Sequence, residues 1–425
     1  MLPESSGTYG RHAQAIATYA GRVTRQVPDT PAPLGTASPR LTRRWVAVWL
    51  AVVAWTVVCA VSQTRPSGIS WHFFDEGSRA LFHRSGLHTY AQHPDLQIGP
   101  LALLVAGAII AAAGPHALGV AQVLMTSGLL VALALLASLV PPRARHTRML
   151  LVGLVAAPSW TVLSVRWAHL DDVLALVLLA ACLVAVRHGS GHPLLAGLAL
   201  AGACAAKPWA VIGIPLLLVL GSGRLRSAVY AAAGTAAAWA PFLVADPGTL
   251  AALHPPVRVA DSSAMWWLGY RGTYLPTWDR MVQLVGAPLA ALVAVLRGAW
   301  PGALLAGIAV RLLLDPQNLA YYAAGAVLAA IVADLLGQRS VVPWTAMATA
   351  LLLWQPFVED YPRRLQTSQG LTLWWFEHPG AIAIIHSTWS LLAIGVSVWW
   401  LPRLRSRVAR GPMVDEGLLV DPAQP

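Results

Sequence analysis

Four groups of residues in this chain combine types and spacings that could do chemistry. The first is Phe74-Asp75-Glu76, near the start of a polar stretch that runs to Pro100. A carboxylate there could serve as a general base or a metal ligand at a surface, or simply be a solvated acid at the start of a helix. The second is Arg166-Trp167-Ala168-His169-Leu170-Asp171-Asp172. On a helix, His169 and Asp172 share a face, with Arg166 a turn earlier; two adjacent acids can also be no more than an N-terminal cap. The third is Lys207, the single lysine of the chain, followed by Pro208. With no other charge for some distance, it points at a cavity or an anion, or it snorkels to headgroups. The fourth is Arg311, four residues before Asp315 inside an apolar run. Such an arginine is costly unless it is used or paired locally. Arg258 and Arg271 lie among Trp266, Trp267 and Tyr270 in a further polar loop.

The elements that must position these groups are membrane helices. Of 425 residues, 57% are hydrophobic and 11% charged, with a mean hydropathy of +0.60, against about a quarter charged in soluble domains. Apolar runs recur from Trp45 to Trp400, and there is no alternating pattern of a membrane barrel. The fold class expected is therefore all-α, a polytopic transmembrane helical bundle. Cys59, Cys182 and Cys204 fall within apolar runs and read as small core residues. The net charge of +11 sits in short loops, as topology requires, and does not point to nucleic acid.

Basic clusters at Arg43/Arg44, Arg143/Arg145/Arg148, Arg187, Arg224/Arg226, Arg297, Arg339 and Arg403/Arg405/Arg407, all placed inside, give roughly twelve spans with both ends cytosolic. Residues 1–41 and 403–425 read as disordered cytosolic tails flanking a membrane domain over 42–402. Ile98–Ala113 fits the charges only as a partial or re-entrant helix on the outer side. Leu194–Gly223 reads as two short helices meeting near Lys207–Pro208, with Gly197 and Ala201 as a small-residue packing face.

With this topology, twelve of the eighteen acids fall in outer loops or at outer helix ends, Asp75, Glu76, Asp171, Asp172, Asp246, Asp279, Glu359, Asp360 and Glu377 among them. Only Asp334 falls at an inner end outside the tails. That split points to an extracytoplasmic site. In the first loop, Phe74 and Phe82 would make one stripe of a helix lying in the interface, begun by Asp75 and Glu76. No phosphate-binding glycine loop, dinucleotide fingerprint, CxxC pair or HExxH signature occurs. His88 and His93 are not spaced as a metal pair.

The ordering of these pieces resembles the integral-membrane GT-C glycosyltransferases that use polyprenyl-phosphate sugars, and most closely the actinobacterial polyprenol-phosphate-mannose-dependent mannosyltransferases. The resemblance rests on Phe74-Asp75-Glu76, Leu87-His88-Thr89-Tyr90, Gln97-Ile98-Gly99-Pro100, Ala168 to Asp172, Gly197…Lys207-Pro208 and Asp315-Pro316…Tyr321-Tyr322, in chain order. It implies a GT-C-like bundle and a hexosyltransferase that moves a sugar, mannose by the closest likeness, to a glycan or glycolipid acceptor outside the cell membrane. It assigns Asp75 the role of base, with Glu76 as the alternative. It gives Lys207 the lipid phosphate, with Arg166, Arg258 or Arg311 assisting, and it makes the His169, Asp171, Asp172 loop the place for an acceptor or a divalent cation. No other cofactor is implied. A secondary transporter or lipid flippase is the alternative class, and would show internal repeats with polar groups near mid-membrane.

Overall fold

A computed structural model describes residues 43–64, 67–141, 145–189, 192–253, 255–337, 340–354, 373–374 and 377–400. Both tails, and Glu359, Asp360, Arg363, Arg364 and Trp375, lie outside the described residues. Within them the chain is helical, with one isolated antiparallel bridge, Arg258 to Tyr274, and no strand.

The helices are α1 (Arg43–Ser62), α2 (Trp71–Arg79), α3 (Pro100–Ala113), α4 (Ala117–Ala137), α5 (Arg145–Thr161), α6 (Leu170–His188) and α7 (Pro193–Ala206). A 3₁₀-wound segment, Pro208–Gly223, follows, and then come α8 (Arg224–Ala245), α9 (Thr277–Leu296), α10 (Ala303–Leu314), α11 (Tyr322–Gly337), α12 (Trp344–Leu352) and α13 (Pro379–Gly395). Among the described residues, six helical stretches are long and apolar enough to cross a membrane: Arg43–Ser62, Pro100–Ala137, Arg145–Trp167, Pro208–Ala245, Thr277–Leu296 and Pro379–Trp399. Three shorter apolar helices accompany them. Two of the long stretches are broken at glycines with positive φ, Gly114 (52°) and Gly221 (60°), a conformation that costs glycine little. The α3 arm has 14 residues and so runs about 21 Å at the helical rise, short of a hydrocarbon core of about 30 Å.

Small residues let the helices touch. A Cβ on Gly197 would lie 2.5 Å from the Ser227 carbonyl oxygen, and one on Gly234 2.7 Å from the Ala201 Cβ. The Gly197/Ala201 face of α7 therefore meets α8, as expected of a small-residue stripe. All three cysteines are free and buried, in keeping with their reading as core residues. Asp334, buried in α11, accepts from the Ala346 N–H at 2.9 Å and so caps α12.

The first polar loop departs from expectation. Its helix starts at Trp71, not at Asp75, so Asp75 and Glu76 lie in its middle. The chain enters that helix held by three backbone bonds, Gly68, Ile69 and Ser70 N–H to the carbonyls of Val165, Arg166 and Trp167, at 3.0, 3.0 and 2.9 Å. Those bonds fix the start where no acid is needed as a cap. Phe74 and Phe82 do not share a face: Phe74 is wholly buried, and Phe82 is 53% exposed. A π-wound turn over Ala80–Arg84 breaks the 3.6-residue periodicity between them.

Candidate functional site

The site begins at a break in the chain. Helix α5 ends in a π-wound turn, Val162–Trp167, and Ala168 then takes left-handed backbone angles (φ 53°, ψ 50°). That reversal turns His169 inward and lets α6 start at Leu170, with both acids in its first turn. Lys207 reaches them from the end of α7. It is extended (φ −149°, ψ 119°), because a residue before proline is pushed out of the helical region.

These pieces form one polar knot. The Lys207 ammonium donates to Asp171 and lies 3.7 Å from Asp172. The indole N–H of Trp209 donates to Asp172 Oδ1 at 2.8 Å, and the Asp172 N–H donates to Asp171 Oδ1 at 2.9 Å. His169 places Nδ1 3.3 Å from Asp171 and 3.4 Å from Asp172, with Nε2 3.0 Å from Ser70 Oγ. Its ring stacks on Tyr321 with centroids 3.8 Å apart. Burial alone would lower the His169 pKa, but the two carboxylates outweigh it and hold the imidazole above its ordinary value.

Beside the knot is a cavity of about 400 Å³. The first loop supplies Tyr90, Leu96 and Gln97; α8 supplies Thr235, Trp239 and Leu243; and α9 supplies Arg280, Gln283 and Leu284. Lys207 and Arg311 complete the polar end, and the lining includes no carboxylate among the described residues. Behind it, the buried carboxylate of Asp315 lies 3.7 Å from Arg311 and 3.9 Å from Arg280. The Arg311 guanidinium sits over the rings of Tyr322 and Trp209, 4.6 and 5.3 Å from their centroids.

The residues singled out by sequence are therefore only partly brought together. Lys207 and Arg311 line the cavity, with His169, Asp171 and Asp172 packed behind Lys207. Arg166 is buried in the π-wound turn, where its carbonyl accepts from Ile69. Asp75 and Glu76 do not line the cavity. Asp75 is held by Arg79 at 2.9 Å, and Glu76 is exposed. Arg258 is exposed in the loop before α9, its guanidinium 5.5 Å from the centre of the Tyr274 ring. Lys207 does not snorkel; its side chain is only 12% exposed, and it is spent on a carboxylate.

Sequence reasoning passed over Arg280, although a cation one turn into an apolar helix, three residues before Gln283, is itself a signal of use. His169, Asp171 and Asp172 offer ligand atoms within 4.8 Å of one another, as a divalent ion would need. The Lys207 ammonium donates to Asp171 Oδ2 and the Trp209 N–H to Asp172 Oδ1. Asp172 Oδ2 has no hydrogen-bond partner but lies 3.7 Å from the same ammonium, so with that cation already among the oxygens the donor set does not fit a resident metal. No family, curated protein or solved structure matches the chain.

Proposed function

We infer that this protein is a membrane glycosyltransferase of GT-C-like architecture. In this reading it has about twelve crossings and transfers a sugar, mannose by resemblance, from a polyprenyl phosphate to a glycan or glycolipid on the extracytoplasmic face of the cell membrane. One observation carries the reading: a largely apolar cavity with Lys207, Arg280 and Arg311 at one end and no carboxylate in its lining among the described residues. An amphiphile with an anionic head and a hydrocarbon tail matches that division.

The chemistry asks little more of the protein. The acceptor hydroxyl loses its proton to a carboxylate as its oxygen attacks the anomeric carbon. The bond from that carbon to the phosphate oxygen breaks, and its electron pair leaves with the polyprenyl phosphate, where cations stabilise the charge. Asp75 is the proposed base and Glu76 the alternative. The Asp75 side chain is 31% exposed beside Arg79 and lies outside the cavity lining, so this role requires the acceptor to bridge from Asp75 to the donor sugar.

The test is sugar transfer from a radiolabelled polyprenyl-phosphate mannose by membranes containing the wild-type chain or Asp75→Asn. Transfer by the wild type that falls about 10²- to 10⁴-fold in the variant, the range for a general base, supports both the reading and the role. Equal transfer by both removes Asp75 from catalysis, and no transfer by the wild type removes the reading.

A further inference from the structure

Lys207 is the obvious phosphate ligand by sequence, yet its charge is already balanced by Asp171 and Asp172. The two arginines are in a different state. Both look to one carboxylate, Asp315, at distances too long for hydrogen bonds, 3.7 and 3.9 Å. Asp315 Oδ1 is taken by the Gln317 N–H at 3.0 Å, and Oδ2 has no hydrogen-bond partner. Arg280 spends single donors on Gln283, at 3.2 Å, and on Gln97, at 3.5 Å. Arg311 is buried over two rings and donates no hydrogen bond among the described residues. Asp279, the other nearby acid, is wholly buried and is not in the cavity lining; its Oδ2 accepts from Gln283 at 2.5 Å. Two guanidinium groups with most of their donors unspent therefore meet at one end of an apolar cavity.

We propose that Arg280 and Arg311, held apart on Asp315, form a two-pronged clamp for the phosphate of an amphiphile's head group, while Lys207 serves the knot rather than the ligand. This deepens, and rests on, the polyprenyl-phosphate reading above. Guanidinium forks bind phosphate oxygens in pairs, which a lone ammonium cannot do. The weak Gln97 contact is the one that an arriving phosphate would displace.

The experiment measures binding of farnesyl phosphate and of farnesol to the full chain in nanodiscs, for wild type, Arg280→Gln, Arg311→Gln and the exposed outer-loop control Arg271→Gln. Loss of a hydrogen bond to a charged group, about 1.5–3 kcal/mol, predicts an affinity for farnesyl phosphate about 10- to 100-fold weaker in each cavity variant. Farnesol binding, which reports an intact cavity, stays unchanged, as does everything in Arg271→Gln. Unaltered affinity for farnesyl phosphate in Arg280→Gln overturns the clamp, and so does an equal loss for both ligands. A wild-type chain that binds farnesol as well as farnesyl phosphate defeats the lipid-phosphate reading itself.

Discussion

The ammonium of Lys207 rests on the carboxylate of Asp171, 36 residues away in the chain, and both are nearly closed to solvent. Neither charge would be stable there alone. Removing one partner of such a pair leaves the other buried and uncompensated, at a cost of about 3–5 kcal/mol. Lys207→Met should therefore lower the apparent melting temperature in detergent sharply. Lys207→Met combined with Asp171→Asn should recover a large part of the loss, because no unpaired charge then remains at Asp171. If the double variant melts below the single one, the pair is not what holds α6 to α7 at this point.

His169 ties the same knot to the first loop, and its protonation should be visible in stability. Its folded pKa is raised, so the contribution is fully present below the unfolded value of about 6.5 and is lost as pH rises through the folded value. The melting temperature of the wild type, minus that of His169→Gln, should shrink from pH 6 upward. A difference that stays flat or grows over that range contradicts the charged imidazole. Asp246, partly exposed and hydrogen-bonded by His88 at 3.1 Å and by the Gly248 N–H, has a lowered pKa. Its small contribution runs the other way and fades as pH falls through that lowered value.

What could be read from the sequence was local. Pro208 marks the break that presents Lys207, and the four-residue spacing of Arg311 and Asp315 anticipates their pairing at 3.7 Å. Gly197 and Ala201 announce a close helix contact. Pairings across long separations carried no such signal: Lys207 with Asp171, Trp209 with Asp172, and Ser70 with His169 are 36, 37 and 99 residues apart. Acids suit a first turn, so the sequence alone places Asp75 at the start of its helix. The backbone bonds from Gly68, Ile69 and Ser70 decide otherwise, and they belong to the tertiary fold.

Gly99 shows how closely the first loop is fitted to the site. Its N–H donates to the Ala206 carbonyl at 3.0 Å, and a Cβ at this position would run into the carbonyl oxygens of Ala205 and Ala206. Those atoms are backbone, immediately before Lys207, and cannot swing aside. Gly99→Ala should cost about 1–3 kcal/mol, as overpacking does, and should also displace Gln97 from the cavity wall. Gly119→Ala, which meets open space within 4 Å, is the matched control and should leave the melting temperature unchanged or slightly raised. Equal behaviour of the two variants would show that the loop is not seated against α7.

Ala168 is the one non-glycine residue with positive φ among the described residues, and it is completely buried. Left-handed angles cost an ordinary residue about 1–2 kcal/mol, so the surrounding bonds must impose them. His169 N–H to Leu163 O at 3.1 Å, and the three bonds from the first loop to Val165, Arg166 and Trp167, do so. A β-branched side chain tolerates this region far worse than alanine, so Ala168→Val should destabilise by at least about 2 kcal/mol. Ala168→Gly should stay within about 1 kcal/mol of wild type, since relief of strain offsets the lost methyl and the freer unfolded chain. Glycine frees the angle and valine resists it, and valine's two added methyls also press on a sealed position. If valine is accepted as well as glycine, the reversal at Ala168 does not set the direction of His169, and the knot must be held by its side chains alone.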